Sequence, residues 1–315
     1  MDVPKWLPAE DIKDEEELEY KLSLVNGVPQ MHKFEESRVN EVIKTFETRD
    51  DDVFVCTYVK SGTTWTQQII SLLLHEGEQS AKDYTEVVPW LESLTIRLAA
   101  DDSVVSHWTL KTLRSTPKRR FMKSHANLKG LPVGSAQGLK VIYVARNPKD
   151  VAVSLYHTAI WTQIAKCRGF SDMIRFFAQR RPMNGSWFNH VLEWWEAANT
   201  DPELVLFLKY ESMLAAPEEH IRKIADFAGI HHTPDIIART IAASSFDVMK
   251  QTPKTNLYGD GRQVREGGVG AWRDMFTVRE SEEFDKIYRG EMKGSGLTMD
   301  FGKELIMWVW LFIIS

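Results

Sequence analysis

The chain has 315 residues, 43% of them hydrophobic and 26% charged, with a net charge of −5. These proportions belong to a globular protein with a sizeable core, and the weak negative charge excludes a chain-wide attraction to nucleic acid or anionic membrane. Any anion site must therefore be a local basic cluster. The two cysteines, Cys56 and Cys167, lie far apart, which fits a reduced cytoplasmic protein with no disulfide framework and no paired metal ligands. The acidic N-terminus, MDVPKWLPAEDIKDEEELEY, has no long apolar run, so neither a signal nor a transit peptide is expected.

Residues 1–35 are polar, with a charge run at Asp14–Glu17, and are expected to form a surface-wrapping segment or a partly disordered tail. Ser37–Arg49 places Val39, Val42, Ile43 and Phe46 at helical spacing, so a helix is predicted there. Asp52–Leu74 follows. Its first part, Val53–Tyr58, is a β-branched apolar run that predicts a strand, and its last, Thr66–Leu74, predicts a helix. Between them lies Lys60-Ser61-Gly62-Thr63-Thr64-Trp65. A strand that turns through Gly and hydroxyl residues into a helix suits phosphate, because the first helical N–H groups lack internal partners and the helix dipole favours an anion. The Lys precedes a single Gly, so this is not the Gly-x-x-x-x-Gly-Lys-Ser/Thr loop that holds magnesium nucleotides. A structural corner with a solvated Lys is the alternative that this stretch alone leaves open.

Lys82–Ala100 carries Pro89 and Trp90 in an interrupted apolar segment, read as a loop or short helix over a pocket, or as a plain connector. Arg119–His125 predicts a short strand ending in Lys123-Ser124-His125. Chemistry collects at the carboxyl ends of strands in α/β sheets, and His titrates nearest neutrality, so His125 is a candidate base. Leu139–Ala145 is the clearest buried strand. It runs into Arg146-Asn147-Pro148-Lys149-Asp150 and a predicted helix at Val151–Thr158, a second corner with Arg146 at the strand end and Ser154 in the first helical turns. The Arg fork suits phosphate, while Asn147 or Asp150 can cap the helix and Pro148 set the turn.

Trp187–Ala197 predicts an amphipathic helix whose aromatic stripe belongs to the core. Leu204–Tyr210 is a third buried strand, followed by Glu211, and Pro217–Ala228 is a helix stopped by Gly229. Thr240–Lys250 contains Ser244-Ser245-Phe246. Gln263–Phe276 is basic and holds Gly267, Gly268 and Gly270, a backbone able to wrap a phosphate or simply a surface loop. Leu305–Ile314 is wholly apolar but short of the ~20 residues a membrane span needs; packing on the body, burial in a partner and an altered transcript end are the open readings. With no repeat and no linker, strands alternating with helices predict an α/β fold. It is read as a single doubly wound domain with a mainly parallel central sheet flanked by helices, over residues 36–304.

Taken together, these motifs resemble those of the cytosolic sulfotransferases. Lys60–Trp65 is similar to that family's 5′-phosphosulfate loop, and Arg146–Val151 with Ser154 to its 3′-phosphate motif. Arg265-Glu266-Gly267-Gly268-Val269-Gly270-Ala271-Trp272-Arg273 resembles its Arg-Lys-Gly-x-x-Gly-Asp-Trp-Lys segment. Lys123-Ser124-His125, Val88–Glu92 and Leu208–Glu211 match as well, so the likeness runs from about residue 30 to Phe301. It implies the co-substrate 3′-phosphoadenosine 5′-phosphosulfate (PAPS), the product adenosine 3′,5′-bisphosphate (PAP) and no metal. It implies that Lys60, Ser61, Gly62, Thr63 and Thr64 hold the 5′-phosphosulfate, and that Arg146, Ser154, Arg265 and Gly267 hold the 3′-phosphate, with Glu266 beside it. Trp65, Tyr210, Ser244 and Phe246 would surround the adenine. His125 would be the general base, Lys60 and Lys123 would stabilise charge on the transferring group, and Trp90, Leu155, Thr158 and the Ser244–Arg262 loop would line a pocket for a phenol, sterol, other hydrophobic alcohol or amine.

Four residues depart from the family pattern. Val59 replaces a Pro, which loosens the loop, while Ala271 replaces Asp and Arg273 replaces Lys. Glu266 replaces a Lys and should repel a phosphate unless it turns outward. Arg273, Thr277, Val278 and Glu282 resemble the family's dimer segment and imply a homodimer; the same residues also read as a helix start capped by Thr277 with Glu280. A kinase with a variant phosphate loop and a nucleotide-binding homologue without catalysis are the rival readings.

Overall fold

Runs of Val, Ile, Phe and Tyr that are apolar on both sides must be covered on both sides, which favours a parallel sheet between helix layers. The computed structural model describes residues 22–31, 34–95, 108–132, 138–162, 167, 169–180, 182–255 and 264–302. In chain order its strands are β1 (Leu22–Val25), β2 (Val28–Met31), β3 (Val53–Thr57), β4 (Phe121–Ser124), β5 (Lys140–Ala145) and β6 (Val205–Lys209). The last four form one parallel sheet in the order β4-β3-β5-β6. The register sets Cys56 beside Ser124, Thr57 beside Val144 and Ala145 beside Lys209, so four strand ends share one rim.

The helices are α1 (Glu36–Thr45), α2 (Thr63–Leu74), α3 (Tyr84–Val87), α4 (Leu110–Ser115), α5 (Pro148–Thr162), α6 (Phe170–Ala178), α7 (Trp187–Thr200), α8 (Tyr210–Ala215), α9 (Pro217–Ala228), α10 (Pro234–Ala243), α11 (Phe246–Gln251) and α12 (Val278–Glu291). Strand alternation divides the core in two. Phe54, Cys56, Val141 and Tyr143 face α5, α6, α7 and α12 through Val151, Phe177, Trp194 and Phe284. Val53, Val55, Ile142 and Val144 face α2, α9 and α10 through Ile69, Ile70, Ile224 and Ile237. Each such burial contributes about 1.5–3 kcal/mol. Helices on both faces of a parallel sheet are the doubly wound architecture expected.

Local chemistry sets the element ends. Asn147 caps α5, its side-chain oxygen accepting the Asp150 N–H at 2.9 Å, so this helix begins three residues before Val151. Gly62, left-handed at φ 95°, opens α2 at Thr63 rather than Thr66. Gly229, left-handed at φ 61°, stops α9 as read. Tyr210 opens α8 instead of closing β6, and α1 stops at Thr45, short of Arg49. Thr277 and Glu280 form a reciprocal capping box at α12. Residues 22–31 hold an antiparallel hairpin that composition did not suggest, turning at Asn26-Gly27 with φ 53° and 75°. Residues 1–21, the 96–100 end of the Lys82–Ala100 segment, the 256–262 part of the Ser244–Arg262 loop and the Leu305–Ile314 run lie outside the described residues. Among the described residues no helix is long and apolar enough to cross a membrane.

At the opposite rim a buried ion pair locks β3 to β4. Arg120 grips Asp52 bidentately, Nε to Oδ1 at 2.7 Å and Nη2 to Oδ2 at 2.5 Å, and Nη2 also donates to the Glu47 carbonyl at 2.9 Å. Its guanidinium lies 4.8 Å from the Phe46 ring centroid. Removing one member of a buried pair strands the other charge, so Asp52→Ala is expected to lower stability by about 3–5 kcal/mol in urea unfolding. A loss below ~1 kcal/mol would show that the pair is not the lock described here.

Candidate active site

The site grows from the carboxyl ends of β3, β4 and β5. Beyond β3, Lys60 (φ 68°) and Gly62 (φ 95°) take left-handed conformations on either side of Ser61 and swing the backbone into α2. Gly is required at 62 on two counts, because a Cβ there would also lie 2.6 Å from the Tyr210 ring. Ser61 is fully buried; its N–H donates to the Tyr58 carbonyl at 3.2 Å and its hydroxyl has no partner among the described residues. The Thr63 and Thr57 hydroxyls lie 2.6 Å apart, tying the first residue of α2 to the last of β3.

The end of β4 is fixed by Glu92, whose Oε1 accepts the Ser124 hydroxyl at 2.6 Å and the His125 N–H at 2.8 Å. Backbone hydrogen bonds lay Pro89–Leu91 along Lys123 and so bring the Trp90 ring under Lys123 Nζ, 4.1 Å from its centroid. Trp90 also meets His125 edge-on at 5.6 Å. The His125 Nδ1 lies 3.0 Å from the Thr57 carbonyl, so the proton sits on Nδ1 and Nε2 is left as the basic nitrogen, without a hydrogen bond among the described residues. The His125 carbonyl accepts from Asn184 Nδ2 at 3.0 Å and His190 Nε2 at 3.1 Å. His190 in turn receives the Tyr143 hydroxyl at 2.8 Å.

Burial, and then the Lys123 charge, hold the His125 imidazole well below its ordinary value, so it is neutral at pH 7. Burial pushes both lysines down to about 8, with Arg146 and Arg265 adding repulsion at Lys60. At Lys123 the Glu92 carboxylate opposes that fall, while Lys60 adds to it.

The end of β5 holds the Gly-rich segment. Arg146 Nη2 donates to the Gly268 carbonyl at 3.0 Å, Nη1 reaches the Lys60 carbonyl at 3.4 Å, and the guanidinium lies 4.6 Å from the Tyr210 ring centroid. Arg146 Nε is buried with no partner among the described residues. Tyr210 donates its hydroxyl to the Gly267 carbonyl at 2.9 Å. Asp150 accepts from Gly270 N at 2.9 Å and Trp272 N at 3.0 Å, and Glu211 accepts from Asn147 N at 2.7 Å. A Cβ on Gly267 would lie 2.5 Å from the Phe246 ring, so that ring seats directly on the backbone.

These elements enclose a cavity of about 540 Å³. Lys60, Gly62, Thr63, Thr64, Trp65, Trp90, Lys123 and His125 line it, together with Arg146, Ser154 and Thr158. Tyr210, Ser244, Phe246, Arg265, Glu266 and Gly267 complete the expected set. Two expected residues do not line it. Ser61 points its hydroxyl into the protein, and Leu155 is packed in the core. The correction at Leu155 is geometric: Ser154, His157, Thr158, Trp161 and Thr162 share the cavity face of α5 at helical spacing, and Leu155 falls off that stripe. Sequence reasoning assigned no role to Glu92, Thr57 or Asn184. It also missed Gln30 and Phe34, which bring the N-terminal hairpin and its following residues into the wall.

A family model described as "Sulfotransferase domain" matches residues 50–296. Sulfotransferase 1B1 of Canis lupus familiaris is 33% identical over 302 residues, 91% of this chain and 98% of its own length. Sulfotransferase 1E1 of Bos taurus is 35% identical over 287 residues, 87% of this chain and 93% of its own. A crystal structure of mouse sulfotransferase SULT7A1 complexed with PAP, 28% identical, matches with a TM-score of 0.71 over 87% of this chain and 95% of that one. The chain belongs to the sulfotransferase family.

Proposed function

We propose that the chain transfers a sulfuryl group from PAPS to the hydroxyl of a small hydrophobic acceptor (a phenol, sterol or similar alcohol, or an amine) with His125 as general base. The observation that carries this reading is the meeting of Lys60, Lys123 and His125 in one cavity, with His125 Nδ1 committed to the Thr57 carbonyl. Neutral His125 can then take the acceptor proton on Nε2. Lys60 and Lys123, cationic below about 8, can neutralise charge on the transferring group and the bridging oxygen. Transfer of this kind depends mostly on positioning and electrostatics, and a sulfuryl group carries less charge than a phosphoryl group, so cationic side chains suffice for the chemistry.

The rest of the cavity fits the donor nucleotide. Gly62, Thr63 and Thr64 present the α2 N-terminus to the 5′-phosphosulfate, while Arg146, Ser154, Arg265 and Gly267 serve the 3′-phosphate. The buried, unpartnered Arg146 Nε supports that fit. Trp65 and Tyr210, edge-on at 5.4 Å, with Ser244 and Phe246 form the adenine wall. Phe34, Trp90 and Met183 make the acceptor side apolar, with Thr158 beside them. Residues 36–304 form the transferase domain of this reading, with the matched span inside it. The two free thiols suit a cytoplasmic setting. Homodimerisation through Arg273–Glu282 belongs to the same proposal and rests on Val278, 77% exposed at the start of α12.

His125→Ala is expected to lower turnover by about 10²–10⁴-fold while PAP still binds in calorimetry. Near-normal turnover would remove His125 as the base, preference for ATP with magnesium would overturn the donor assignment, and PAP binding without turnover on phenols, sterols, retinoids or catecholamines would mark a non-catalytic homologue. Gly62→Ala must adopt a left-handed backbone and displace Tyr210, so PAP affinity should fall by about tenfold or more. The pH dependence has a definite sign. Both lysines are held below their ordinary 10.5 at about 8, so they are charged below pH 8 and lose charge above it. PAP affinity should therefore weaken between pH 7 and 9, and affinity constant over that window would exclude these lysines from the anion site.

A further inference from the structure

We propose that Glu266 is a donor-selectivity residue that lets the chain also take a sulfuryl group from adenosine 5′-phosphosulfate, whose ribose carries a free 3′-hydroxyl. The proposal rests on the nucleotide reading above. Lys60, Lys123, Arg146 and Arg265 give the cavity its cationic lining, and among the described residues Glu266 is the one carboxylate that lines it. Glu266 lies on this lining beside Arg265. Its Oε2 lies 2.8 Å from Arg265 Nη1, with the two side chains 46% and 37% exposed. His157 and Ser154 of α5 line the same cavity as this pair; burial, and then the Arg265 charge, hold the His157 imidazole below its ordinary value, and Glu266 opposes that fall.

This pairing changes what Arg265 can offer. A ribose phosphate reaching Arg265 must replace the Glu266 carboxylate or lie beside it, so one favourable contact is exchanged for another and like charges are brought together. A ribose hydroxyl is neutral and donates a hydrogen bond, and a carboxylate is its natural acceptor. Nucleotide folds use this contrast, with an acidic residue for a ribose hydroxyl and an Arg for a ribose phosphate. Here both occur side by side. Arg146, held by Gly268 and Tyr210, still serves a phosphate, so selection is narrowed rather than reversed.

The step balances without any further reactant. The acceptor oxygen bonds to sulfur and the bond from sulfur to the bridging oxygen breaks. Its electron pair stays on the 5′-phosphate, leaving adenosine 5′-monophosphate, and the acceptor proton goes to His125 Nε2.

The test is calorimetry of the full chain and of Glu266→Gln with adenosine 3′,5′-bisphosphate and adenosine 5′-monophosphate, together with turnover from both sulfated donors on one phenol. Wild type is expected to turn over adenosine 5′-phosphosulfate. Glu266→Gln should tighten the bisphosphate, weaken the monophosphate and widen their affinity ratio by about tenfold, with a matching loss of relative turnover from adenosine 5′-phosphosulfate. A ratio unchanged within about twofold, or no wild-type turnover from adenosine 5′-phosphosulfate, overturns the selectivity role and leaves the nucleotide reading standing. Failure of wild type to bind either nucleotide overturns that reading itself.

Discussion

The site depends on the parallel pairing of β3 with both neighbours. Because Thr57 lies beside Val144 and Cys56 beside Ser124, the next residues on all three chains emerge on one rim. Thr57 can then do two things at once, holding His125 Nδ1 with its carbonyl and Thr63 with its hydroxyl. A slip of one residue would reverse every side chain on β3 between the two helix layers. The two-sided core that fixes the register, with Phe54 and Cys56 to one side and Val53 and Val55 to the other, is therefore also what sets the relative positions of Thr57, Thr63 and His125.

Charge is the second constraint. Burying Lys60, Lys123 and His125 in one cavity costs each its ordinary protonation behaviour: Lys60 discourages the charge of Lys123, and both lysines discourage that of the imidazole. An anion entering the cavity relieves this repulsion and restores the lysines to full charge. The cationic lining thus favours an anionic ligand, and its polar supports (Glu92, Asp150 and Glu211) bond to backbone N–H groups around it. Glu266 is the exception, a carboxylate on the lining itself.

Much of this was legible because it is local. The apolar runs of β3 and β5 and the helix at Pro217–Ala228 are set by neighbours in sequence and fall where the pattern puts them, while the turn after β3 is shorter than read because α2 already opens at Thr63. The hairpin at 22–31 carried its own signal, Asn26-Gly27 between apolar runs, but the acidic stretch before it masked the pattern. Leu155 was misplaced by treating proximity to Ser154 as sharing its face, when one step along a helix turns the side chain by about 100°. Asn184 and Glu92 could not be read at all. Asn184 reaches His125 from 59 residues away and Glu92 from 33, and no local pattern encodes such contacts.

The long-range contacts also explain why the Gly-rich segment belongs to the site rather than to the surface. Gly267 and Gly268 have no side chains to pack, so their position must be set by others. Tyr210 and Arg146 hold their carbonyls, while Asp150 holds the N–H groups of Gly270 and Trp272. The absence of a Cβ at Gly267 is what admits the Phe246 ring. Lys149, from the same turn as Asp150, is buried beneath Trp272 at 4.2 Å and paired with Asp285 on α12 at 2.6 Å. The segment is thus clamped from the α5 N-terminus on one side and from α8 and α11 on the other. Its backbone lies next to Arg146 because α5 begins where β5 ends, and the sequence Arg146–Asp150 supplies the guanidinium, the cap and the clamp in five consecutive residues.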